Sequence, residues 1–141
     1  QSFLTTAAAI GTIAQPFISA AQTAMKFEFT LSKVGAIANA TGPELSLLTQ
    51  TARSLGEQTK FTATQSAEAM SYLGMAGWKT KEIVAGMPGL LNLAAAGNTD
   101  LARTADIVSD NLTAFGLSAD KAQHMADVYA VTITSTKSSF F

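Results

Sequence analysis

Between Phe61 and Phe115 the sequence alternates helix-starting and helix-stopping signals so closely that only short helices fit between them. Thr62 is placed to cap a first helix, and Gln65, three residues on, completes a capping box. Ala69, Leu73 and Ala76 on one stripe, with Met70 and Gly77 on the next, give that helix a face to bury. Gly77 stops it, because glycine enters the left-handed conformation at a helix C-terminus without steric penalty. Trp78 follows at the corner. Thr80 is the expected cap of a short helix from Lys81 to Gly86, and Pro88 is expected to break or restart the backbone just before it. Leu90, Leu91, Leu93 and the three alanines 94–96 then run to a second stop at Gly97-Asn98. Thr99 is the expected cap of the next helix, with Asp100 in its first turn at the favourable end of the helix dipole. Leu101, Ala105, Val108, Leu112 and Phe115 step by four, three, four and three, and Gly116 ends the run.

The flanks continue in the same idiom. From Pro16 to Ala40 the pattern is helical, with Pro16 read as the first residue of a helix and Phe17, Ala21, Met25, Phe29, Val34 and Ile37 as its apolar side. In Thr41-Gly42-Pro43-Glu44, Gly is read as ending one helix and Pro with Glu as starting another. Over residues 44–57, Leu45, Leu48, Ala52 and Leu55 form an amphipathic seam. Past Gly116, Ser118 is placed to cap a last helix with Asp120 in its first turn and Ala122, Met125, Ala126, Tyr129 and Ile133 on its apolar face. Residues 134–139 are hydroxyl-rich without apolar period and read as loop. No strand pattern competes. The expected fold is all-α, six or seven short-to-medium helices forming a bundle or an extended assembly. Its expected divisions are a charge-poor helical segment (1–40), a core helical region (41–134) and a truncated Ser/Thr-rich linker (135–141).

Charge is the second constraint. Only 13% of the 141 residues are charged, about half the usual quarter, and residues 1–25 carry no charge at all. Gln15, Gln22 and hydroxyl side chains such as Ser2, Thr5, Thr6, Thr12 and Ser19 hold that run below a membrane span in hydrophobicity, while Ala7, Gly11 and Ala14 would allow close helix packing. The expectation is a helix packed on protein, with membrane contact as the alternative. A net charge of −1 offers no basic stripe for nucleic acid, and the absence of cysteine removes disulfides and thiolate zinc sites.

Catalytic chemistry has little to stand on. His124, the single histidine, has Asp120 four residues away and no third ligand to complete a zinc site. Asp106 and Asp110 share a helix face, as paired carboxylates in a glycosidase do, but Arg103 beside Asp106 makes a solvated face the plainer reading. Glycines 74, 77, 86, 89 and 97 match no phosphate-binding fingerprint and read as helix stops and close-packing points. No catalytic, metal or cofactor residue is expected. The candidates are structural or interfacial: Trp78, Gly77, Leu73, Leu93, Gly97, Leu101, Leu112 and Phe115, with Trp78 expected to close the core at its corner rather than to anchor a partner.

The run EAMSYLGMAGWKTKEI, followed by GLLNLAAAGNTDLARTADIVSDNLTAFGL, resembles the core region of phage tail tape measure proteins. Its most specific parts are Ala76-Gly77-Trp78, the stop from Leu93 to Gly97, and Asp100-Leu101 leading to Ala105-Asp106. The resemblance begins near Phe27-Glu28 and runs past Asp127. It implies a structural, non-enzymatic protein of the virion, assembled in the host cytoplasm. Such a protein lies in the tail tube, sets tail length and leaves during DNA ejection. Its implied partners are tube and tail-tip or baseplate proteins and further copies of itself. A second function from another class stays open beside it, a segment that inserts into the host envelope and helps form a conduit.

Overall fold

The computed structural model describes the backbone of residues 2–136 and the side chains of residues 16–135. Six helices follow one another: α1 (Ser2–Ala38), α2 (Gly42–Gln58), α3 (Ala63–Met75), α4 (Thr80–Ala96), α5 (Leu101–Ala114) and α6 (Ala122–Thr136), with a single 3-10 turn (Ala119–Lys121) leading into α6. The fold is all-α, with no strand among the described residues.

α3 is the centre of the packing. It lies against α1, α2, α4 and α5, while α4 carries α6 on its far side. Ala67, Ala69, Met70 and Leu73 of α3 are fully buried, as are Ile83, Met87, Leu90 and Leu93 of α4. Leu48 and Ala52 of α2 and Leu101, Ala105, Val108 and Leu112 of α5 close around them. Alanine and glycine set how near the helices come. A Cβ added at Gly56 would lie 2.5 Å from the backbone nitrogen of Ala63, so α2 and α3 meet almost backbone to backbone.

Four helices end the same way. After α1, α3, α4 and α5 the residues Asn39, Gly77, Asn98 and Gly116 take φ of 54°, 93°, 50° and 64°. In each case the next N–H reaches back five residues to a carbonyl: Ala40 to Gly35 (2.8 Å), Trp78 to Leu73 (3.1 Å), Thr99 to Ala94 (2.9 Å) and Leu117 to Leu112 (2.8 Å). These are Schellman closures, which satisfy carbonyls the helix leaves unpaired. Gly77 and Gly116 act as expected. At the other two stops asparagine does the work, and Gly97 is only the capping residue before Asn98.

Helix starts follow the sequence at two places and depart from it at three. Thr62 and Gln65 form the capping box, with Gln65 N–H on Thr62 Oγ1 (3.1 Å) and Thr62 N–H on Gln65 Oε1 (2.8 Å). Thr41 and Glu44 form another, so Gly42 begins α2 instead of ending α1. Ser118 does not cap α6: it precedes the 3-10 turn, makes no side-chain cap, and its hydroxyl donates to the Asp120 carboxylate. That hydroxyl, with Lys121 beside it, holds Asp120 below its ordinary pKa, against a smaller desolvation effect. Thr80 is not a cap, since α4 begins one residue earlier from Lys79, whose N–H donates to Glu82 Oε2 (2.8 Å). The Thr80 hydroxyl is instead buried without a hydrogen-bond partner among the described residues. Thr99 is not a cap either. Asp100 takes that role by accepting from Arg103 N–H (2.9 Å), and Thr99 Oγ1 bonds Thr104 Oγ1 (2.9 Å).

Neither proline interrupts its helix. Pro88 lies inside α4 and Pro16 inside α1. Proline's fixed φ is compatible with a helix; what is lost is one ladder bond and some room for the preceding turn. At Pro88 the loss is overridden by burial on both sides, Ile83 and Met87 before it and Leu90 and Leu91 after it. The hydroxyl-rich stretch read as loop also stays helical as far as Thr136, and its remainder lies outside the described residues. The small residues Ala7, Gly11 and Ala14 lie outside the described side chains.

The apolar side of α1 is a correction. Phe27, Leu31, Val34 and Ala38 are buried, whereas Phe17, Met25 and Phe29 are 72%, 69% and 74% exposed. The stripe Phe17–Ala21–Met25–Phe29 advances four residues at a time, which drifts about 40° per step around a 3.6-residue helix. The steps of four, three and four from Phe27 to Ala38 stay in line.

Candidate functional site

The Schellman closure of α3 aims Trp78 back over the first turns of α4. Its indole is 5% exposed, and a Cβ at Gly86 would come within 2.6 Å of Cζ3. Only glycine leaves room for the ring there. Trp78 therefore closes the core at the α3–α4 corner, and its large apolar area is spent inside the molecule. Leu73, Leu93, Leu101 and Leu112 are buried around the same centre, as expected. Phe115 is not. It caps α5 at 71% exposure, because the chain turns left-handed at Gly116 before the stripe can take another step inward.

The surface instead offers two grooves that are apolar in different degrees. One, about 290 Å³, lies where the α5–α6 connection meets α6 and is lined by Phe115, Leu117, Met125, Val128 and Tyr129, with Lys121 and His124 at its edge. Tyr129 is fixed by its hydroxyl, which accepts from Asn111 Nδ2 (2.9 Å). The other, about 480 Å³, lies between α1 and α3 and includes Phe29, Tyr72, Met75, Lys33 and the Lys26–Glu68 ion pair (2.9 Å). Sequence reasoning missed both. For the first, the available signal was the pair Phe115 and Leu117 flanking Gly116, and Val128 off the main stripe of α6.

Among the described residues the candidate acids and the histidine do not come together. Asp106 and Asp110 are exposed on the outer side of α5, away from either groove, and His124 is exposed at a groove edge. Among the described residues no group of three metal-ligating side chains comes together, and no helix is long and apolar enough to cross a membrane.

The molecule is an all-α core that carries exposed apolar faces. The comparisons place it. The family profile of phage-related minor tail proteins matches residues 49–140, and the chain belongs to that family. It is 42% identical over 105 residues to a tape measure protein of Pneumococcus phage Dp-1, an alignment covering 74% of this chain and 9% of that protein. It is 33% identical over 97 residues to a probable tape measure protein of Escherichia phage P2, covering 69% of this chain and 12% of the relative. The chain thus spans about a tenth of the length of the curated relatives it matches. No solved structure shows a significant match.

Proposed function

We propose that this chain is a folded segment of a tape measure protein. In this reading the longer protein occupies the lumen of a phage or phage-like tail tube, sets the tail's length and leaves the tube when DNA is ejected. The observation that carries the reading is the 42% identity over 105 residues with a tape measure protein. The surface supports it physically. A chain with 13% charged residues and apolar grooves on two sides suits a place among protein neighbours, which we take to be tube and tail-tip or baseplate proteins and further copies of itself. The role is structural and not enzymatic, and needs no cofactor and no specific contact with nucleic acid.

The test is an in-frame duplication of residues 27–136 inside the full tape measure gene, with tail lengths read by electron microscopy. Longer tails of uniform length are expected. Tails of unchanged length would remove this segment from the length-setting part of the chain.

A further inference from the structure

Two contacts set α1 and α3 side by side in the same direction. Lys26 Nζ meets Glu68 Oε1 at 2.9 Å, and further along both helices a Cβ at Gly74 would come within 3.1 Å of the Ile37 side chain. The trough between them is the larger of the two grooves, about 480 Å³. Phe29 on one wall and Tyr72 and Met75 on the other stand exposed in it. Charge along this groove does not balance. Lys26 is neutralised by Glu68, whereas Lys33, one turn beyond Phe29, is in no ion pair among the described residues. Ser71 lines the same groove, midway along α3 between the two contacts. It is 5% exposed, and its hydroxyl has no hydrogen-bond partner among the described residues. Thr30, across the groove, bonds the Lys26 carbonyl of its own helix (2.8 Å); Ser71 makes no such bond, although buried hydroxyls are ordinarily satisfied.

The groove thus lacks one negative charge, one hydrogen-bond acceptor and an apolar cover for three side chains. We infer that it is a docking site for an acidic amphipathic helix of a partner protein. The helix lays its apolar face over Phe29, Tyr72 and Met75 and brings a carboxylate to Lys33, with the Ser71 hydroxyl as second donor on the groove floor. Shape selects a helix, because a trough between two parallel helices accepts a third along its length. From Lys26 to Lys33 the trough spans about 10 Å at 1.5 Å per residue, so two turns of the partner fill it. Charge selects an acidic helix, because a basic one would set like charges against Lys33 with no acid in the groove left to offset them. The inference goes beyond the tail reading and rests on the fold alone.

The probes are two fluorescein-labelled helical peptides of about four turns. They share one leucine face and differ only in carrying glutamate or lysine beside it. Binding to the 141-residue chain is read by fluorescence anisotropy. The parent should bind the acidic peptide about tenfold more tightly than the basic one, with the gap narrowing as salt rises. Lys33→Glu should abolish or invert that preference, and Phe29→Ser should weaken both peptides. Leu117→Ser, in the other groove, should change neither. All three positions are exposed, and thermal melts followed by circular dichroism check that each variant folds. No binding of either peptide overturns the inference, as does equal binding of both or a preference that Lys33→Glu leaves in place. Self-association of the chain that Phe29→Ser abolishes would assign the groove to a second copy instead. Phe29-dependent binding to anionic lipid vesicles, without peptide binding, would make it a membrane contact. Either result overturns the docking of a partner helix. The duplication experiment does not involve this groove, so the tail reading and the docking site stand or fall separately.

Discussion

Alanine at position 86 should destabilise the protein although it is the better helix former, and the sign should reverse once Trp78 is gone. In an ordinary helix interior, Gly→Ala gains about 1 kcal/mol. Here the new Cβ would lie 2.6 Å from Trp78 Cζ3 and 3.4 Å from Cη2, so the ring edge must retreat by about 1 Å to reach ordinary contact. It has nowhere easy to go, being 5% exposed and tied at its own backbone to the Leu73 carbonyl. Forced overpacking of this kind costs about 1–3 kcal/mol, which leaves a net loss of about 1 kcal/mol after the propensity gain. Trp78→Ala alone should cost about 3–5 kcal/mol. With the ring absent, Gly86→Ala should recover about 1 kcal/mol of that loss, giving a coupling near 2 kcal/mol between two positions eight apart in the chain. Urea midpoints of the four proteins, followed by circular dichroism because Trp78 is the single tryptophan, measure the cycle. If Gly86→Ala stabilises the parent, or shifts both backgrounds equally, the ring does not occupy the space the structure assigns it.

Pro88→Ala should stabilise by about 1–3 kcal/mol, since α4 continues through the proline and regains a ladder bond; a loss in thermal midpoint would mean that the chain does break there. Asn39→Gly and Asn98→Gly should be close to neutral, whereas alanine at either position should cost about 1–2 kcal/mol for a left-handed residue with a Cβ, as read from denaturant midpoints. Asp100→Ala should cost about 1 kcal/mol by removing the cap on Arg103 N–H, and Thr99→Ala less, because its hydroxyl bonds only that of Thr104. The reverse order would restore Thr99 as the cap.

What the sequence made legible was local. The Thr62–Gln65 box and the Gly77 stop each depend on a few neighbouring residues, and both stand where chain chemistry puts them. The buried seams of α2 and α6 were also readable, since Leu48 and Ala52 are buried on the first and Ala122 and Ala126 on the second, although Val128 and Val131 stay exposed on α6. α1 was not, because it offers more than one apolar stripe, and only the position of α3 decides that Phe27 goes inside and Phe29 outside. The prolines were misjudged for a related reason. A propensity rule counts the lost hydrogen bond at Pro88 but not the methionine and leucines buried on either side of it in a helix that continues through the proline. Phe115 fails at the opposite scale, by one residue, since the stripe it extends runs into the turn made by Gly116.

Under the length-setting role proposed above, a folded segment makes a quantitative demand on the tail. Stretched as one helix, the roughly 110 residues from Phe27 to Thr136 would span about 165 Å at 1.5 Å per residue. Folded as here, a chain of that size has a radius of gyration near 13 Å and a diameter near 35 Å. The two states therefore differ about fivefold in the length that duplication adds. An increment near 35 Å would mean that the core around α3 and α4 stays folded in the tube and acts as a bead on the tape. An increment near 165 Å would mean that it opens there, with the buried faces of α3, α4 and α5 passed to tube or sister chains. The core favours the first outcome. Trp78, Met70, Leu90 and Leu93 lose their apolar surroundings if the helices separate, and a tube wall must replace all of them at once. Increments near 165 Å would refute that preference, and would assign the unfolding free energy to neighbours this chain does not itself contain.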